Sequence, residues 1–464
     1  MDSSGRIIKV DIFINDKNVS ICSIYAPNND KDRIVFFNDI PTYIDHNRLN
    51  IICGDFNDVV SPYLFRAKDM YTNKHSCAAF KSFINNNNLC DIYRHKHPDR
   101  AQFTRRAVSN NRRRMSRIDY ILVSRQVKSN VVNVYITHTK LSDHSQVIIT
   151  VDLGECERGP GVYIFNNNLL NDLVFCEKVY TIIKNESKLD LFNSEPLVWW
   201  DNLKFKIKST ARAYSKNTKR KERELYWDIQ NKLTREYARI DRTNSTNYDT
   251  ILELEARLEQ IENDLCKGAI LRSKVKHVVE SDRNTSYFLS LEKQRQNNKC
   301  IKELINDNDD ILNDTSSILY ECSSFYSNLY AKDDDNLSAI NDLSKGIHNN
   351  ILPIDRDFCD KSITLDELSK TLKNLTKNKN PGLDSLTQEF YLKFWDLIGP
   401  LYLHVLNFIY VNQIMSRSMR KGMITLIYKD KGDRRNLKNY RPITLLNTDY
   451  KILSKCLSIR LKTT

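Results

Sequence analysis

The segment Ile51-Ile-Cys-Gly-Asp-Phe-Asn57 is the most informative part of the first third of the chain. An apolar run that ends directly in a glycine and polar residues is typical of a buried strand followed by a tight turn. In α/β sheets, such strands present functional side chains at their carboxyl ends. We therefore predict that this stretch places Asp55 and Asn57 at the edge of a buried sheet.

Similar short apolar runs occupy the chain up to about residue 152. They predict strands over 19–25, 51–53, 118–123, 131–136 and 147–151, and a helix around 77–85. The alternation of strands and helix predicts an α/β domain.

Polar motifs lie at the ends of these strands. Tyr25-Ala-Pro-Asn28 follows the first strand, Arg117-Ile-Asp-Tyr120 begins another, and Ser142-Asp-His144 precedes the last. Together with Asp55 and Asn57, they bring carboxylates, an amide, a phenol and an Asp/His pair to one rim. Phosphodiester hydrolysis needs hard oxygen ligands for Mg²⁺, an activated water and donors to the phosphoryl oxygens, so the set predicts a phosphodiesterase site.

Each polar group has an expected task at such a site. Asp55 would activate the water, and Asn57 would orient it. Asp119 would keep His144 protonated, because a neighbouring carboxylate raises the pKa of an imidazole.

In their order, these motifs resemble the endonuclease/exonuclease/phosphatase superfamily, specifically the apurinic-like endonuclease of LINE-type non-LTR retrotransposons. The resemblance implies a four-layered α/β sandwich that nicks DNA with Mg²⁺ and leaves a 3′-hydroxyl. It also implies a catalytic set, which consists of Tyr25, Asp55, Asn57, Asp119 and His144.

The resemblance further implies residues that hold the substrate and the metal. Asn28 would support the phosphate, Asp143 would ligate the metal, and Thr104 would lie near the DNA. The metal-binding Glu of the family lies upstream of the Tyr motif, whereas here 24 residues precede Tyr25 and no Glu occurs before Glu155. We therefore expect a domain over residues 1–153 that lacks its first strands and cleaves DNA poorly or not at all.

Residues 154–345 are expected to form a helical basic linker. Apolar residues recur here at roughly helical spacing among charged residues, namely Leu252, Leu254, Leu258, Ile261 and Leu265. This spacing is compatible with a short coiled coil. Further along this region, basic residues surround Tyr287 and Phe288. This pattern is compatible with a nucleic-acid-binding surface or with aromatic residues that pack inside the protein.

The region from residue 346 to 464 begins with predicted helices. Thr364 and Glu367 form a capping-box pattern, and the helix that follows is predicted to end at Pro381-Gly382. Ser385 with Gln388 predicts the start of a second helix, and Gly399-Pro400 is predicted to break it.

Two predicted strands, 423–428 and 441–446, then flank the basic turn 429–435. The segments 422–431, 439–447 and 450–455 are similar to the first motifs of non-LTR reverse transcriptases, in which a fingers hairpin precedes the palm. Asn380-Pro-Gly-Leu-Asp384 resembles the segment just before that hairpin. The resemblance implies an incomplete fingers region, in which Lys429, Lys431 and Arg441 contact template or triphosphate. No palm aspartates occur before Thr464, so we expect no DNA synthesis by these 464 residues.

The composition indicates a nucleic-acid partner. The chain has 71 Lys and Arg against 58 Asp and Glu, and the excess is spread along its length, which favours DNA and RNA. The eleven cysteines show no metal-binding or disulfide pattern, and the N-terminus shows no signal-like apolar core. We expect a nuclear or cytoplasmic protein that is not secreted and does not contact a membrane.

The order of the two resemblances predicts a fragment of a retrotransposon polyprotein, whose complete form nicks target DNA and primes reverse transcription. One alternative is a non-catalytic nucleic-acid-binding protein derived from such an element. It would show salt-dependent affinity without Mg²⁺-dependent turnover. Another is a lipid or sugar phosphodiesterase of the same superfamily, which the polymerase-like tail disfavours.

Overall fold

The computed structural model describes residues 4–60, 75–100, 102–109, 112–139, 142–154, 161–243, 248–273, 300–331, 337–345 and 352–463. The chain forms two compact units. Unit 1 comprises Met1–Gly159 and Glu222–Ser290, and unit 2 comprises Pro160–Lys221 and Leu291–Thr464. The predicted division at residues 153 and 345 stays a prediction. Tyr287 and Phe288 lie outside the described residues.

Within the described residues, the strands are, in chain order, β1 (Ile7–Ile14), β2 (Lys17–Tyr25), β3 (Leu49–Asp55), β4 (Leu89–Asp91), β5 (Arg105–Ser109), β6 (Arg112–Ser116), β7 (Asp119–Ser124), β8 (Val131–Thr137), β9 (Gln146–Val151), β10 (Leu304–Ile305), β11 (Ile311–Leu312), β12 (Gly422–Tyr428) and β13 (Tyr440–Leu446). The α-helices are α1 (Asp30–Asp39), α2 (His75–Asn86), α3 (Ile92–Lys96), α4 (Leu173–Glu186), α5 (Leu191–Ser194), α6 (Pro196–Thr243), α7 (Tyr248–Ser273), α8 (Thr315–Leu329), α9 (Leu337–Ser344), α10 (Pro353–Asp360), α11 (Leu365–Asn374), α12 (Gln388–Asn412) and α13 (Thr448–Thr463).

Unit 1 is built around a five-stranded mixed sheet with the strand order β1-β2-β3-β7-β4. β2 and β3 run parallel, and the other neighbouring strands run antiparallel. The strands and the helix predicted from the apolar runs are all present, and their ends differ from the predicted ones by a few residues. The predicted α/β class is confirmed for this region.

Apolar side chains cover both faces of this sheet. On one face, Phe37 and Phe56 each stack on Phe80 with ring centroids 4.9 Å apart, and Tyr120 packs edge-on against that group. On the other face, a second cluster joins residues of β3 and β7 to residues of the β8–β9 hairpin. Burial on both faces explains why β3 reads as an unbroken apolar run.

The helices α6 and α7 share a small core of their own within unit 1. Ile229 and Leu233 of α6 pack against Ile251, Leu254 and Leu258 of α7. Two members of the predicted apolar stripe, at positions 252 and 265, are more than half exposed. The remaining residues of the stripe pack within the chain, between the two helices α6 and α7.

In unit 2, the predicted capping box is confirmed. The Thr364 hydroxyl accepts from the Glu367 backbone N–H, and the Glu367 carboxylate accepts from the Thr364 N–H at 2.8 Å. The helix ends at Asn374, earlier than the predicted end at Pro381-Gly382. The predicted hairpin is also present as the antiparallel pair β12–β13.

Two predicted helix boundaries in unit 2 are wrong. Ser385 is not a cap, because it has a left-handed backbone with φ of 67° and Thr387 caps α12 instead. Pro400 does not end that helix, which runs on to Asn412 and departs from helical geometry only at Phe394. Tyr402 and Val405, beyond the proline, are fully buried, and burial of such side chains offsets the lost backbone hydrogen bond.

By length and composition, α12 could also cross a membrane, and among the described residues it is the one helix that passes this test. Core helices pass the same test. One face of α12, including Phe390, Ile398 and Leu406, packs into the main apolar cluster of unit 2.

A buried polar cluster in unit 2 surrounds Lys204. Its ammonium donates to the Asp449 carboxylate at 2.5 Å and to the Ser418 hydroxyl, and it lies 3.7 Å from the Asp384 carboxylate. The Trp200 indole N–H donates to the same Asp449 oxygen at 2.8 Å. Burial disfavours the charge on Lys204, yet the neighbouring carboxylates hold its pKa above the ordinary value. The buried ion pair of Lys204 and Asp449 is thus stabilised by further hydrogen bonds from its neighbours.

Candidate active site

Three of the predicted site residues lie in one row across the sheet of unit 1. Tyr25 is the register partner of Asp55, and Asp55 is the register partner of Asp119. β2 and β3 end at this row, while the antiparallel β7 begins there. The sheet register itself therefore places the phenol and the two carboxylates at one edge.

His144 joins the row through Asp119. Its Nδ1–H donates to the two Asp119 carboxylate oxygens at 2.9 and 3.1 Å. This hydrogen bond raises the pKa of His144 above 6.5, although partial burial opposes the charge. The imidazole keeps 28% of its side-chain surface exposed, so a protonated His144 can still face a ligand.

Asp55 lies beside this pair in a partly desolvated position. Burial raises its pKa above the usual range, and the nearby Asp119 carboxylate adds to that effect. The Asn57 backbone N–H donates to Asp55 Oδ1 at 2.8 Å and fixes the carboxylate. Gly54, which precedes Asp55, has a φ of 141°. A Cβ at this position would lie 1.9 Å from the Ile24 carbonyl oxygen. Only glycine allows β2 and β3 to approach so closely at this position.

Asn57 ties two loops together. It has a left-handed backbone with φ of 49°, and its side-chain amide donates to the Ala26 carbonyl at 2.7 Å. The Ala26 N–H in turn donates to the Asp55 carbonyl at 2.8 Å. The contacts around Asn57 thus hold the Tyr25-Ala-Pro-Asn28 loop against the end of β3.

Tyr25 is 49% exposed at this edge, with the Arg6 guanidinium 5.4 Å from the centre of its ring. Asn28 follows in the same loop, and its carbonyl accepts from Arg33 at 2.9 Å.

Thr104 and Asp143 are placed differently from the group around Asp55. Thr104 is fully buried, and its hydroxyl accepts from the Ile118 and Asp119 backbone N–H groups at 3.1 Å each. It therefore supports the start of β7 from behind. Asp143 is exposed and lies 3.6 Å from Arg105.

Residues that the sequence did not single out also build the site. Arg33 and Asp58 form a fully buried ion pair at 3.1 Å, and Arg33 donates to the Pro27 carbonyl at 3.0 Å. Together they anchor the loop that carries Asn28. Arg33 stands in the charged run Asp30-Lys-Asp-Arg33, which is typical of a solvated helix start and gives no sign of burial.

Lys429, Lys431 and Arg441 belong to unit 2, around the β12–β13 hairpin. The Lys429 ammonium donates to the Lys438 carbonyl at 2.6 Å. Arg441 is exposed on β13 opposite Ile427.

Within the described residues, Asp55, Asp119 and His144 form a group whose ligand atoms all lie within 4.8 Å of one another. A protonated His144 could not act as a ligand, so a metal ion at this group would be held by carboxylate oxygens. Such oxygens are the donors that Mg²⁺ prefers, and it commonly keeps several waters beside one or two carboxylates. The donor set therefore fits a Mg²⁺ that retains much of its water shell.

Comparison with known proteins gives a match to a family model and to a curated relative. Residues 6–144 match the model of the Endonuclease/Exonuclease/phosphatase family, which confirms the predicted fold type for this region. A protein of Xenopus laevis named "Transposon TX1 uncharacterized 149 kDa protein" is 30% identical over 474 residues. That alignment covers 99% of this chain but 35% of the relative, so the chain spans about a third of the curated relative's length.

Several solved structures also align with about a third of the chain. The endonuclease domain of TRAS1, a telomere-specific non-LTR retrotransposon, is 14% identical over 32% of this chain and 65% of that domain, with a TM-score of 0.27. An AP endonuclease from Archaeoglobus fulgidus is 16% identical over 31% of this chain and 65% of that protein, with a TM-score of 0.26.

Proposed function

We propose that unit 1 contains the Mg²⁺-dependent DNA endonuclease of a LINE-type retrotransposon, and that the chain corresponds to part of the element's polyprotein. The observation that carries this proposal is the row of Tyr25, Asp55 and Asp119, with His144 hydrogen-bonded at its end. The relation to a transposon protein over nearly the whole chain supports the second half of the proposal.

The chain's own residues account for most of the proposed chemistry. Asp55 takes the proton of the attacking water. Protonated His144, held by Asp119, donates to the phosphoryl oxygens on which charge develops. Tyr25 offers its phenol at the same edge. A Mg²⁺ held by Asp55 and Asp119 would supply Lewis-acid stabilisation of the phosphate.

We expect the reaction to be slow in this 464-residue chain. Among the described residues, the candidate metal group contains only two carboxylates, and Asp119 also holds His144. With so few protein donors, the metal would bind weakly. Incubation of supercoiled plasmid with a high concentration of the chain should give slow nicking with Mg²⁺ and none with EDTA. Salt-dependent DNA binding without any nicking would favour the non-catalytic alternative.

The pH dependence of nicking should be bell-shaped. The rate requires Asp55 deprotonated and His144 protonated, and the hydrogen bond to Asp119 raises the pKa of His144. The alkaline limb should therefore lie above pH 6.5, the ordinary value for histidine. Asp119→Asn should move that limb to lower pH, because it removes the negative charge beside the imidazolium.

The exposed Asp32→Asn provides a matched control for that pH profile and should leave both limbs in place. If the alkaline limb lies at the same pH in Asp119→Asn as in the unmodified chain, the Asp119–His144 pair does not govern the rate.

We further propose that the β12–β13 hairpin belongs to a reverse-transcriptase fingers region and contacts nucleic acid. The hairpin carries Lys431 and Arg441 with exposed side chains, as a basic phosphate-binding surface requires. RNA is the partner we propose for this hairpin, and DNA the partner for unit 1.

A further inference from the structure

The end of β8 is joined to helices α6 and α7 by polar contacts within unit 1. The Gln230 side chain accepts from the His138 backbone N–H at 2.7 Å and donates to the His138 carbonyl at 2.8 Å. One residue on, the Thr139 hydroxyl donates to Glu262 of α7 at 3.1 Å. Buried polar contacts of this kind fix one geometry, because any displacement leaves their groups unsatisfied.

Arg106, on β5, contacts both α6 and the residue that follows β8. Its guanidinium lies 3.9 Å from the centre of the Tyr237 ring on α6 and donates to His138 Nδ1. Burial, with the positive charge of Arg106, lowers the pKa of His138 to about 3. The neutral imidazole therefore accepts from Arg106 at Nδ1 and donates from Nε2 to the Thr234 hydroxyl of α6 at 3.0 Å.

Arg106 also holds the residues on both sides of His144. Its backbone N–H donates to the Asp143 carbonyl at 3.0 Å, and its guanidinium donates to the Ser145 hydroxyl at 2.5 Å. The Ser145 N–H donates in turn to the Thr104 carbonyl. The loop 143–145 is thus fastened at each end, with the imidazole of His144 between the two attachments.

We infer that Arg106 and Tyr237 are positioning residues for His144. The helix α6 holds Arg106 in place, and Arg106 holds the loop 143–145 so that the imidazole stays against Asp119. The position of the His144 imidazole at the sheet edge therefore depends on α6, which lies far from the sheet along the chain. The inference rests on the proposed function in one respect, namely that His144 is the group that acts on substrate.

Hydrogen–deuterium exchange of the full chain tests this inference without DNA or metal. Tyr237→Ala should speed exchange of the backbone amides of residues 142–146 by about tenfold or more, because Arg106 loses the ring that holds it. Tyr237→Phe keeps the ring but loses the hydroxyl that donates to Glu255, so it should speed exchange of these amides less than Tyr237→Ala does. Arg106→Lys keeps the charge but loses the forked donor, so it should speed exchange as Tyr237→Ala does.

Leu258→Ala is the matched control, because it loosens the apolar packing between α6 and α7 and touches none of these polar groups. It should speed exchange in α7 and leave residues 142–146 unchanged. Unchanged exchange there in Tyr237→Ala and Arg106→Lys, or equal acceleration in Leu258→Ala, would overturn the inference. The exchange result is independent of nicking, so failure of the proposed function and failure of this inference remain distinguishable.

Discussion

Replacing His144 by alanine is expected to slow Mg²⁺-dependent plasmid nicking by about 10²–10⁴-fold. The structure favours the protonated, positively charged form of the imidazole through the bond of 2.9 Å to Asp119. Without it, the charge that develops on the phosphoryl oxygens loses a charged donor in a partly desolvated place. The substitution removes no apolar core contact, so the loss should appear in the rate and not in the stability of unit 1.

The measurement compares initial nicking rates of the two chains at equal concentration, with far-UV circular dichroism as a check on folding. His46→Ala offers a matched control, since His46 is exposed outside the row of site residues. A rate for His144→Ala within about threefold of the unmodified chain would remove His144 from the mechanism, because general acid–base groups contribute far more than that.

Lys204→Met is expected to lower the free energy of unfolding of unit 2 by about 3–5 kcal/mol, which is typical when one partner of a buried ion pair is removed. Lys204 has 3% of its side-chain surface exposed, and Asp449 has none exposed. Methionine fills a similar volume but leaves the Asp449 carboxylate buried with the Trp200 indole as its remaining side-chain donor among the described contacts. The desolvation cost of that charge then falls on the folded state.

Urea unfolding followed by tryptophan fluorescence suits this prediction, because Trp199, Trp200 and Trp395 lie in unit 2. Lys206→Met is a close control two residues along the same helix. It removes an ion pair to Glu186 of similar length, 2.7 Å, but the Lys206 side chain is 51% exposed. Glu186 is buried, but the exposed Lys206 ammonium leaves the pair partly in water, so that change should lower the free energy of unfolding of unit 2 by less than Lys204→Met does. Equal losses for the two variants would show that burial does not set the value of the Lys204 pair.

β3 and β7 of unit 1 were predictable from sequence because both faces of the sheet are buried around them, whereas the sequence did not predict β1, β4, β5 and β6. Unbroken apolar runs such as the one before Gly54 are typical of strands in that position, and a polar motif at a strand end is brought to the sheet edge by topology alone. The pairing of Asp119 with His144 followed from the same reasoning and is present at hydrogen-bond distance.

Other features depend on contacts between distant parts of the chain and leave no local pattern. Thr104 and Arg33 are polar residues in polar surroundings, and only the fold shows that both are buried. Pro400 locally predicts a helix end, but packing of the residues beyond it keeps α12 continuous. Arg106 and Tyr237 lie far apart along the chain, so no spacing in the sequence could indicate their contact.

The most direct test of the proposed site is the nicking of supercoiled plasmid by Asp55→Ala beside the exposed Asp32→Ala. We predict slow nicking by the unmodified chain that stops with EDTA, falls by about 10²-fold or more in Asp55→Ala, and is unchanged in Asp32→Ala. Nicking that survives Asp55→Ala, or no nicking by the unmodified chain in Mg²⁺, would contradict the assignment of this sheet edge as an active site.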